Sequence, residues 1–230
     1  MSIIRNVLSI YKIYFTKIML IILIYTLPIG IIGSFISNFC FVYFDGLGYT
    51  SIGIMFATFA QIVMLVIMQV PLIFMVLRYE INGEPASFST IMKLTADKLF
   101  PIYVMAIIYV IFIAFGTIFL FLPGLIVYFL LFLFPFVAVI NNQLWWRGFK
   151  RTIAIGANNI LKIICIILVY GGVQWILELL VQDFNFIFID RFIFEIAIQT
   201  VVGGFLLPIF VFAMSLYYMK WTDFDAELDY

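Results

Sequence analysis

The feature that most constrains this chain of 230 residues is a set of five long stretches that carry no charged residue. They cover residues 18–44, 46–77, 99–146, 163–177 and 196–219. A helix needs roughly 20 apolar residues to cross a bilayer, and in lipid the backbone polar groups must all be satisfied within helices or closed barrels. The stretches therefore predict an all-α polytopic membrane protein.

The third stretch is long enough for two crossings. Leu122-Pro123-Gly124 lies near its middle and is typical of a helix stop followed by a tight turn. We therefore expect a hairpin there and six crossings in a single membrane domain. The crossings are predicted at residues 18–37, 51–77, 99–121, 124–140, 160–181 and 192–219.

The basic residues predict the orientation of these crossings. With six crossings, all but one of them fall on one side of the membrane: Arg5, Lys12, Lys17, Arg78, Lys93, Lys98, Arg147, Lys150, Arg151, Lys162 and Lys220. Only Arg191 falls on the other side. Because cytoplasmic loops carry the excess of Lys and Arg, both termini are predicted to be cytoplasmic.

Three segments on the basic side are predicted to be amphipathic helices that lie along the membrane surface, at residues 2–16, 87–98 and 145–159. In the third segment, Trp145 and Trp146 suit the headgroup layer, whereas Lys150 and Arg151 suit lipid phosphates. These four side chains are the candidate lipid-headgroup contacts. Basic residues on the cytoplasmic side also set the orientation of a membrane protein. Lys150 and Arg151 can therefore be interpreted either as orientation signals or as headgroup-binding residues.

Two parts of the chain repeat one plan. In each, a crossing that contains a proline, Pro71 or Pro135, is followed by a surface helix and then by another crossing. Aligning Thr90-Ile91 with Thr152-Ile153 gives little further residue agreement. The order of elements therefore supports an ancient duplication more than the residue identities do.

The last two crossings carry a candidate intramembrane polar site. Measured from the loop between them, Glu178 pairs in depth with Glu195, and Gln174 pairs with Gln199, while Arg191 lies one turn from Glu195. In one interpretation the glutamines bond across a helix contact and Arg191 pairs with Glu195. In the other, two carboxylates at one depth share a proton or a cation, as a proton-coupled carrier would require.

Glycines on the same two crossings predict how closely the helices approach. Gly171-Gly172 and Gly203-Gly204 also pair in depth about the loop. Because glycine has no side chain to hold two backbones apart, these pairs are predicted to face each other in a tight antiparallel hairpin. Bulk at Gly203 is then expected to reduce the amount of folded protein.

The composition excludes several classes of function. The net charge of zero gives no electrostatic field for a nucleic-acid partner. There is no His, which removes the commonest general base and the commonest metal ligand. No nucleotide-binding glycine loop, metal cluster or nucleophile motif is present. The sequence therefore predicts neither enzymatic activity nor a cofactor, a metal or a nucleic-acid partner.

A series of motifs occurs in order between Leu122 and Val169: Pro123-Gly124, Pro135, Asn141-Asn142-Gln143, Lys150-Arg151-Thr152 and Asn159. This order resembles a bacterial inner-membrane family of six-helix proteins, relatives of which form the membrane domain attached to some glycerophosphodiester phosphodiesterases. Ala154 and Ala157 stand where such proteins often have basic residues, which weakens an inherited phosphate-binding role. The resemblance implies the fold and a location in the bacterial inner membrane.

The expected function is that of a non-enzymatic accessory, protective or lipid-associated membrane protein. Its expected partners are membrane lipids or another membrane protein. The alternative is a permease or proton-coupled carrier, which would use the acids of the last two crossings. Gln61 and Gln69, eight residues apart on about the same face of the second crossing, would then line a polar path or bond neighbouring helices.

Overall fold

The structure, a computed structural model, describes residues 3–119, 121–184 and 191–224, without the side chains of 118, 119, 121, 178, 180–184 and 191–201. The described residues form helices and short connections, and no strand is found among them. Six helical segments in these ranges are long and apolar enough to cross a membrane. The prediction of an all-α polytopic membrane protein with six crossings is confirmed.

The helices follow one another with short connections. In chain order they are α1 (Ile3–Ile21), a π-turn (Ile22–Thr26), α2 (Leu27–Gly46), α3 (Thr50–Asn82), α4 (Phe88–Phe119), α5 (Phe121–Leu131), α6 (Phe134–Ile140), α7 (Trp145–Phe184) and α8 (Arg191–Trp221). The first three form one run of 44 residues. The helices α5 and α6 form one crossing with a break at 132–133.

The predicted surface helices are helical, but two of them continue directly into a crossing. Residues 3–16 run through α1 without a loop, and Val7, Ile10 and Tyr14 are buried against the rest of the protein. Residues 88–98 likewise continue into α4. In α7, by contrast, Asn159 has a non-helical backbone (φ −124°, ψ 15°) at the position where the third surface helix is predicted to end.

The residues of the predicted turn, Leu122-Pro123-Gly124, are helical. Helix α4 ends at Phe119 and α5 begins at Phe121, so Pro123-Gly124 falls in the first turn of α5. Proline is favoured there because the first N–H groups of a helix have no intrahelical acceptor. A Cβ on Gly116 would lie only 2.8 Å from Cα of Gly124, so these glycines let α4 and α5 cross in backbone contact.

The densest packing lies towards one end of the molecule, which we call the basic end because it carries Arg78, Lys93, Lys98, Arg147 and Lys150. Residues 69–77 of α3 and 131–140 of α5 and α6 are buried throughout. Aromatic rings join them to α8: the centroids of Phe132 and Phe210 are 5.9 Å apart. The opposite end, where α2 turns into α3, has few buried side chains.

Two tyrosine hydroxyls satisfy carbonyls that the helices leave open. Pro71 has no N–H, so the carbonyl of Ile67 loses its helical donor. The hydroxyl of Tyr25, in the π-turn, donates to that oxygen over 3.1 Å. At the end of α5 the hydroxyl of Tyr109 donates to the carbonyl of Tyr128 over 2.8 Å. Each bond fastens a neighbouring helix to a point where a crossing is irregular.

The first turns of α4 and α7 share one local feature. Helices α4 and α7 begin at Phe88 and Trp145, and each carries a buried threonine seven residues later, Thr95 and Thr152. Each of these hydroxyls donates over 2.8 Å to the carbonyl four residues earlier. Counted from these helix starts, Thr152 matches Thr95 and not Thr90.

Candidate functional site

A partly open cleft lies between α2, α3, α7 and α8, with a volume of about 580 Å³. Its lining runs from Thr58 to Met68 on α3 and includes Gly203 on α8. At 1.5 Å per residue, these positions lie roughly 12 to 27 Å along their helices from the end opposite the basic end. The cleft is therefore at membrane depth, and its volume is within the usual range of small-molecule sites.

The described polar groups that line the cleft are hydroxyls and amides. They belong to Thr26, Ser34, Thr58, Gln61, Tyr170 and Gln174. Gln61 joins two helices, because its Nε2 donates to Ser37 Oγ over 3.3 Å. Thr58 bonds within its own helix, because its Oγ1 donates to the carbonyl of Ile54. None of the described lining residues is charged.

The hydroxyl of Thr26 differs from the rest. Thr26 ends the π-turn and is only 3% exposed, yet its hydroxyl forms no hydrogen bond with any described residue. Because Thr26 lines the cleft, its hydroxyl can bond a group that lies in the cleft. Single π-turns inside helices also occur often at functional sites.

Three glycines shape the edges of the cleft. A Cβ on Gly33 would lie 2.7 Å from Met64 Cγ, and a Cβ on Gly204 would lie 3.2 Å from Ile22 Cγ2. A Cβ on Gly203 would meet no described atom within 4 Å. The first two glycines allow close helix packing, whereas the third borders the open space of the cleft.

The predicted glycine contact between the last two crossings is not formed, which is a correction. A Cβ on Gly171 or Gly172 would meet no described atom within 4 Å, and Gly204 packs on Ile22 of the π-turn. The predicted pairing about the loop places position 203 opposite Tyr170, but the Tyr170 ring lies 4.4 Å from that of Phe210. The prediction treated the last two crossings as straight helices, but α7 is bent at Asn159.

The candidate polar site of the last two crossings is described only in part. Gln174 lines the cleft, whereas Glu178, Glu195, Gln199 and Arg191 lie outside the described side chains. Their predicted pairings stay predictions. Among the described residues, no group of three Cys, Asp or Glu side chains comes together in a way that could hold a metal ion.

Gln61 and Gln69 do not share a face, which corrects the predicted polar path. Eight residues of helix leave the two side chains about 80° apart, since each residue advances by about 100°. Gln61 is exposed and lines the cleft, whereas Gln69 is 1% exposed and lies within the packed part of α3. The Oε1 atom of Gln69 has no hydrogen-bond partner among the described residues.

The predicted headgroup contacts lie at the start of α7, at the basic end. The rings of Trp145 and Trp146 are 51% and 66% exposed, and Lys150 is exposed. Arg151 is half-buried and lies beside the hydroxyl of Tyr218 on α8. Lys150 is therefore available to a headgroup, whereas Arg151 contributes to the packing of α7 on α8.

The loop before α7 connects three helices. The hydroxyl of Tyr218 donates to Asn141 Oδ1, and Lys98 Nζ donates to Asn142 Oδ1. The Trp145 N–H donates to Met105 Sδ over 3.0 Å, and Trp145 itself has a positive φ of 57°. A bulky residue rarely adopts this backbone, so these bonds hold the tryptophan pair in one place.

Sequence reasoning missed Thr26 and Ser34 as lining residues. Their spacing with Gly30, four residues at a time, could have indicated one small and polar stripe on a helix. Single hydroxyls are common in membrane helices, so that signal is weak without the structure.

No protein-family model matches this chain, and no curated protein or solved structure matches it either. The resemblance to the six-helix inner-membrane family stays a prediction.

Proposed function

We propose that this chain is a non-enzymatic, lipid-associated protein of the bacterial inner membrane that binds anionic headgroups at its basic end. One observation carries the proposal: no described Lys or Arg forms an ion pair with a described carboxylate. Seven described basic residues lie on this side of the predicted crossings: Arg78, Lys93, Lys98, Arg147, Lys150, Arg151 and Lys162. No described carboxylate neutralises these charges, and the exposed ones among them, such as Lys150, can bind phosphates.

Membrane electrostatics supports this reading of the basic end. A Lys or Arg near an anionic leaflet contributes about 1 kcal/mol of attraction. Exposed tryptophans beside it favour the headgroup layer, because the ring is apolar and its N–H is polar. Trp145 and Trp146 precede Arg147 and Lys150 on the same helix, so one segment offers both kinds of contact.

The proposed orientation places both termini in the cytoplasm, where the leaflet is anionic. Cysteine labelling with an impermeant thiol reagent in intact cells tests it. We expect Lys150→Cys to resist the reagent and Tyr49→Cys, in the exposed loop between α2 and α3, to react. Gly148 is unsuited to this test, because a Cβ there would lie 2.5 Å from the carbonyl oxygen of Gln143.

Headgroup binding is tested with the purified protein in nanodiscs that contain phosphatidylcholine with or without phosphatidylglycerol. Native mass spectrometry then counts the lipids that stay bound. We expect Lys150→Gln to lower the affinity for phosphatidylglycerol about fivefold, as loss of one positive charge worth about 1 kcal/mol implies, and Lys150→Arg to leave it unchanged. Equal retention of both lipids by the unaltered chain would contradict the proposal.

A permease or carrier is the second candidate, and the cleft is the observation that favours it. Such proteins bind solutes near the midplane, where helices are interrupted. The π-turn and Pro71 interrupt two of the helices around this cleft. Liposomes that contain the protein would release entrapped uncharged solutes if this candidate holds. A flux that needs a pH gradient would point instead to Glu178 and Glu195.

A further inference from the structure

The cleft at membrane depth contains an unpartnered hydrogen-bonding group. Thr26 is only 3% exposed as a residue, it lines the cleft, and its hydroxyl bonds no described residue. A hydroxyl that lacks a described protein partner at the wall of a cleft can donate to and accept from a polar group of a ligand. This residue therefore marks the place at which a ligand's polar group would be held.

Further polar atoms continue from Thr26 along the same helix. Ser34 lies eight residues on, beyond Gly30, and its hydroxyl also bonds no described residue. Gln61 donates to Ser37 through its amide nitrogen, which leaves its Oε1 as an acceptor towards the cleft. These groups accept and donate hydrogen bonds without carrying charge.

The cleft is also lined by apolar side chains. Ile62, Leu65 and Met68 of α3 line it together with Leu207 of α8. Sites of this kind, with apolar walls and a few convergent polar groups, bind molecules that are themselves largely apolar. Methionine adapts its shape to irregular apolar ligands, which suits Met68 and Met64 to acyl chains.

We propose that this cleft binds a neutral lipid that bears a free hydroxyl, such as a diacylglycerol. Its hydroxyl would bond Thr26 and Ser34, and its acyl chains would lie along the apolar side chains. A phosphate would find no described cation there, and burying an unpaired anion is unfavourable. This site is independent of the headgroup site at the basic end.

The test uses the full chain in nanodiscs with a photoactivatable diacylglycerol, and peptide mass spectrometry locates the crosslinks. We expect crosslinks on α2 and α3 around Thr26 and Met68. Gly203→Leu should abolish them, because its side chain would enter the open space of the cleft. Gly172→Leu is the matched control, since its Cβ also meets no described atom but Gly172 does not line the cleft.

A second pair of variants tests the hydroxyl without changing the volume. Thr26→Val should weaken binding of the probe about fivefold, the usual effect of one hydrogen bond, while the thermal stability of the empty protein stays the same or rises. Thr95→Val, which alters a buried threonine outside the cleft, should not change binding.

Competing molecules identify the source of the ligand chemistry. Unlabelled diacylglycerol should displace the probe, and phosphatidylglycerol should not. Displacement by free glycerol at millimolar concentration would show that the cleft binds uncharged hydroxyl groups of a soluble polyol. A polyol ligand of this kind is what a permease would require. The proposal is overturned if Gly203→Leu labels like Gly172→Leu, if an anionic lipid or a cationic amphiphile competes better than diacylglycerol, or if Thr26→Val binds like the unaltered chain.

Discussion

Helices α3 and α7 contribute membrane crossings of equal length, Thr50–Asn82 and Trp145–Leu177, each 33 residues long. We compare the apolar 18-residue window of each crossing. In α3, 67% of that window is buried within the protein, whereas in α7 only 6% is buried. Both sequences are apolar enough for a bilayer. Apolarity therefore decides that a helix enters the membrane, and contacts with other helices decide whether protein or lipid surrounds it.

The contacts of the two helices show what makes the difference. Two hydroxyls from the segments before α3 donate to its backbone: Tyr25 donates to the carbonyl of Ile67, and Ser37 donates to the carbonyl of Ala57. Along α7 the described contacts follow one narrow line that includes Thr152, Gly156, Ile163 and Tyr170. Lipid tails are as apolar as leucine, so helix association in a membrane depends on such close and polar contacts.

The largest effect is expected where α7 touches its neighbour through backbone. A Cβ on Gly156 would lie 2.5 Å from the carbonyl oxygen of Leu130, so Gly156→Val should lower the free energy of unfolding by about 3 kcal/mol. Gly172→Val, with no described atom within 4 Å, should change it by less than about 0.5 kcal/mol. Steric-trapping measurements in bicelles give both values. Equal values would mean that α7 is not packed on α5.

The next effect compares one substitution in both helices. Leu72 of α3 is 1% exposed and Leu168 of α7 is 65% exposed. Leu72→Ala should cost about 2 kcal/mol, the low end of the range for core truncations, because lipid removes the aqueous transfer part of that cost. Leu168→Ala should cost less than about 0.5 kcal/mol. The same unfolding assay applies, and a cost at Leu168 that matched the cost at Leu72 would place protein, not lipid, against α7.

A smaller effect is expected for the hydroxyl that bonds α3. Tyr25→Phe removes the donor to the carbonyl of Ile67 and leaves that oxygen without a partner, at a cost of about 1.5 kcal/mol. Tyr103→Phe is the control, because its ring is 42% exposed and its hydroxyl bonds no described residue. The difference between the two variants in unfolding free energy measures the bond. No difference would mean that Pro71 needs no substitute donor.

The smallest effect concerns the bend in α7. The side chain of Asn159 donates to the carbonyl of Ile155 over 3.2 Å and competes with the helical backbone. Asn159→Leu should straighten α7 and stabilise it by about 0.5 kcal/mol through helix propensity. Asn158→Leu, one position earlier, should give the same gain without straightening. The distance between spin labels at positions 150 and 168 should increase in Asn159→Leu and not in Asn158→Leu. An unchanged distance in Asn159→Leu would mean that tertiary packing causes the bend.

The charge pattern was sufficient to predict the six crossings, because each uncharged stretch of this chain must span the membrane or be divided in two. The predicted turn at Pro123-Gly124 is helical instead, because proline starts helices as readily as it ends them. The continuity of residues 3–46 could not be read from the sequence, since an amphipathic segment followed by an apolar one is compatible with a bend or with a straight helix.

The candidate site was predictable in its parts and not in its assembly. Gln61, Gln174 and Gly203-Gly204 were recognised as polar or small residues inside the membrane, and all of them line the cleft. Their arrangement depends on the bend at Asn159 and on the π-turn at Ile22–Thr26. One extra residue in a helical turn rotates every following side chain by about 100°, and residue types alone do not reveal such a turn.

The bond between Tyr25 and Ile67 couples two defects that lie in different helices. Replacing Pro71 by alanine would restore a helical N–H donor to that oxygen, which has two lone pairs and can also keep the bond from Tyr25. Tyr25→Phe alone would leave the oxygen without either donor, whereas Tyr25→Phe beside Pro71→Ala would leave it bonded within the helix. The effects of the two substitutions should therefore be non-additive. During sequence divergence, a change at position 25 is then expected to follow a change at position 71 and not to precede it.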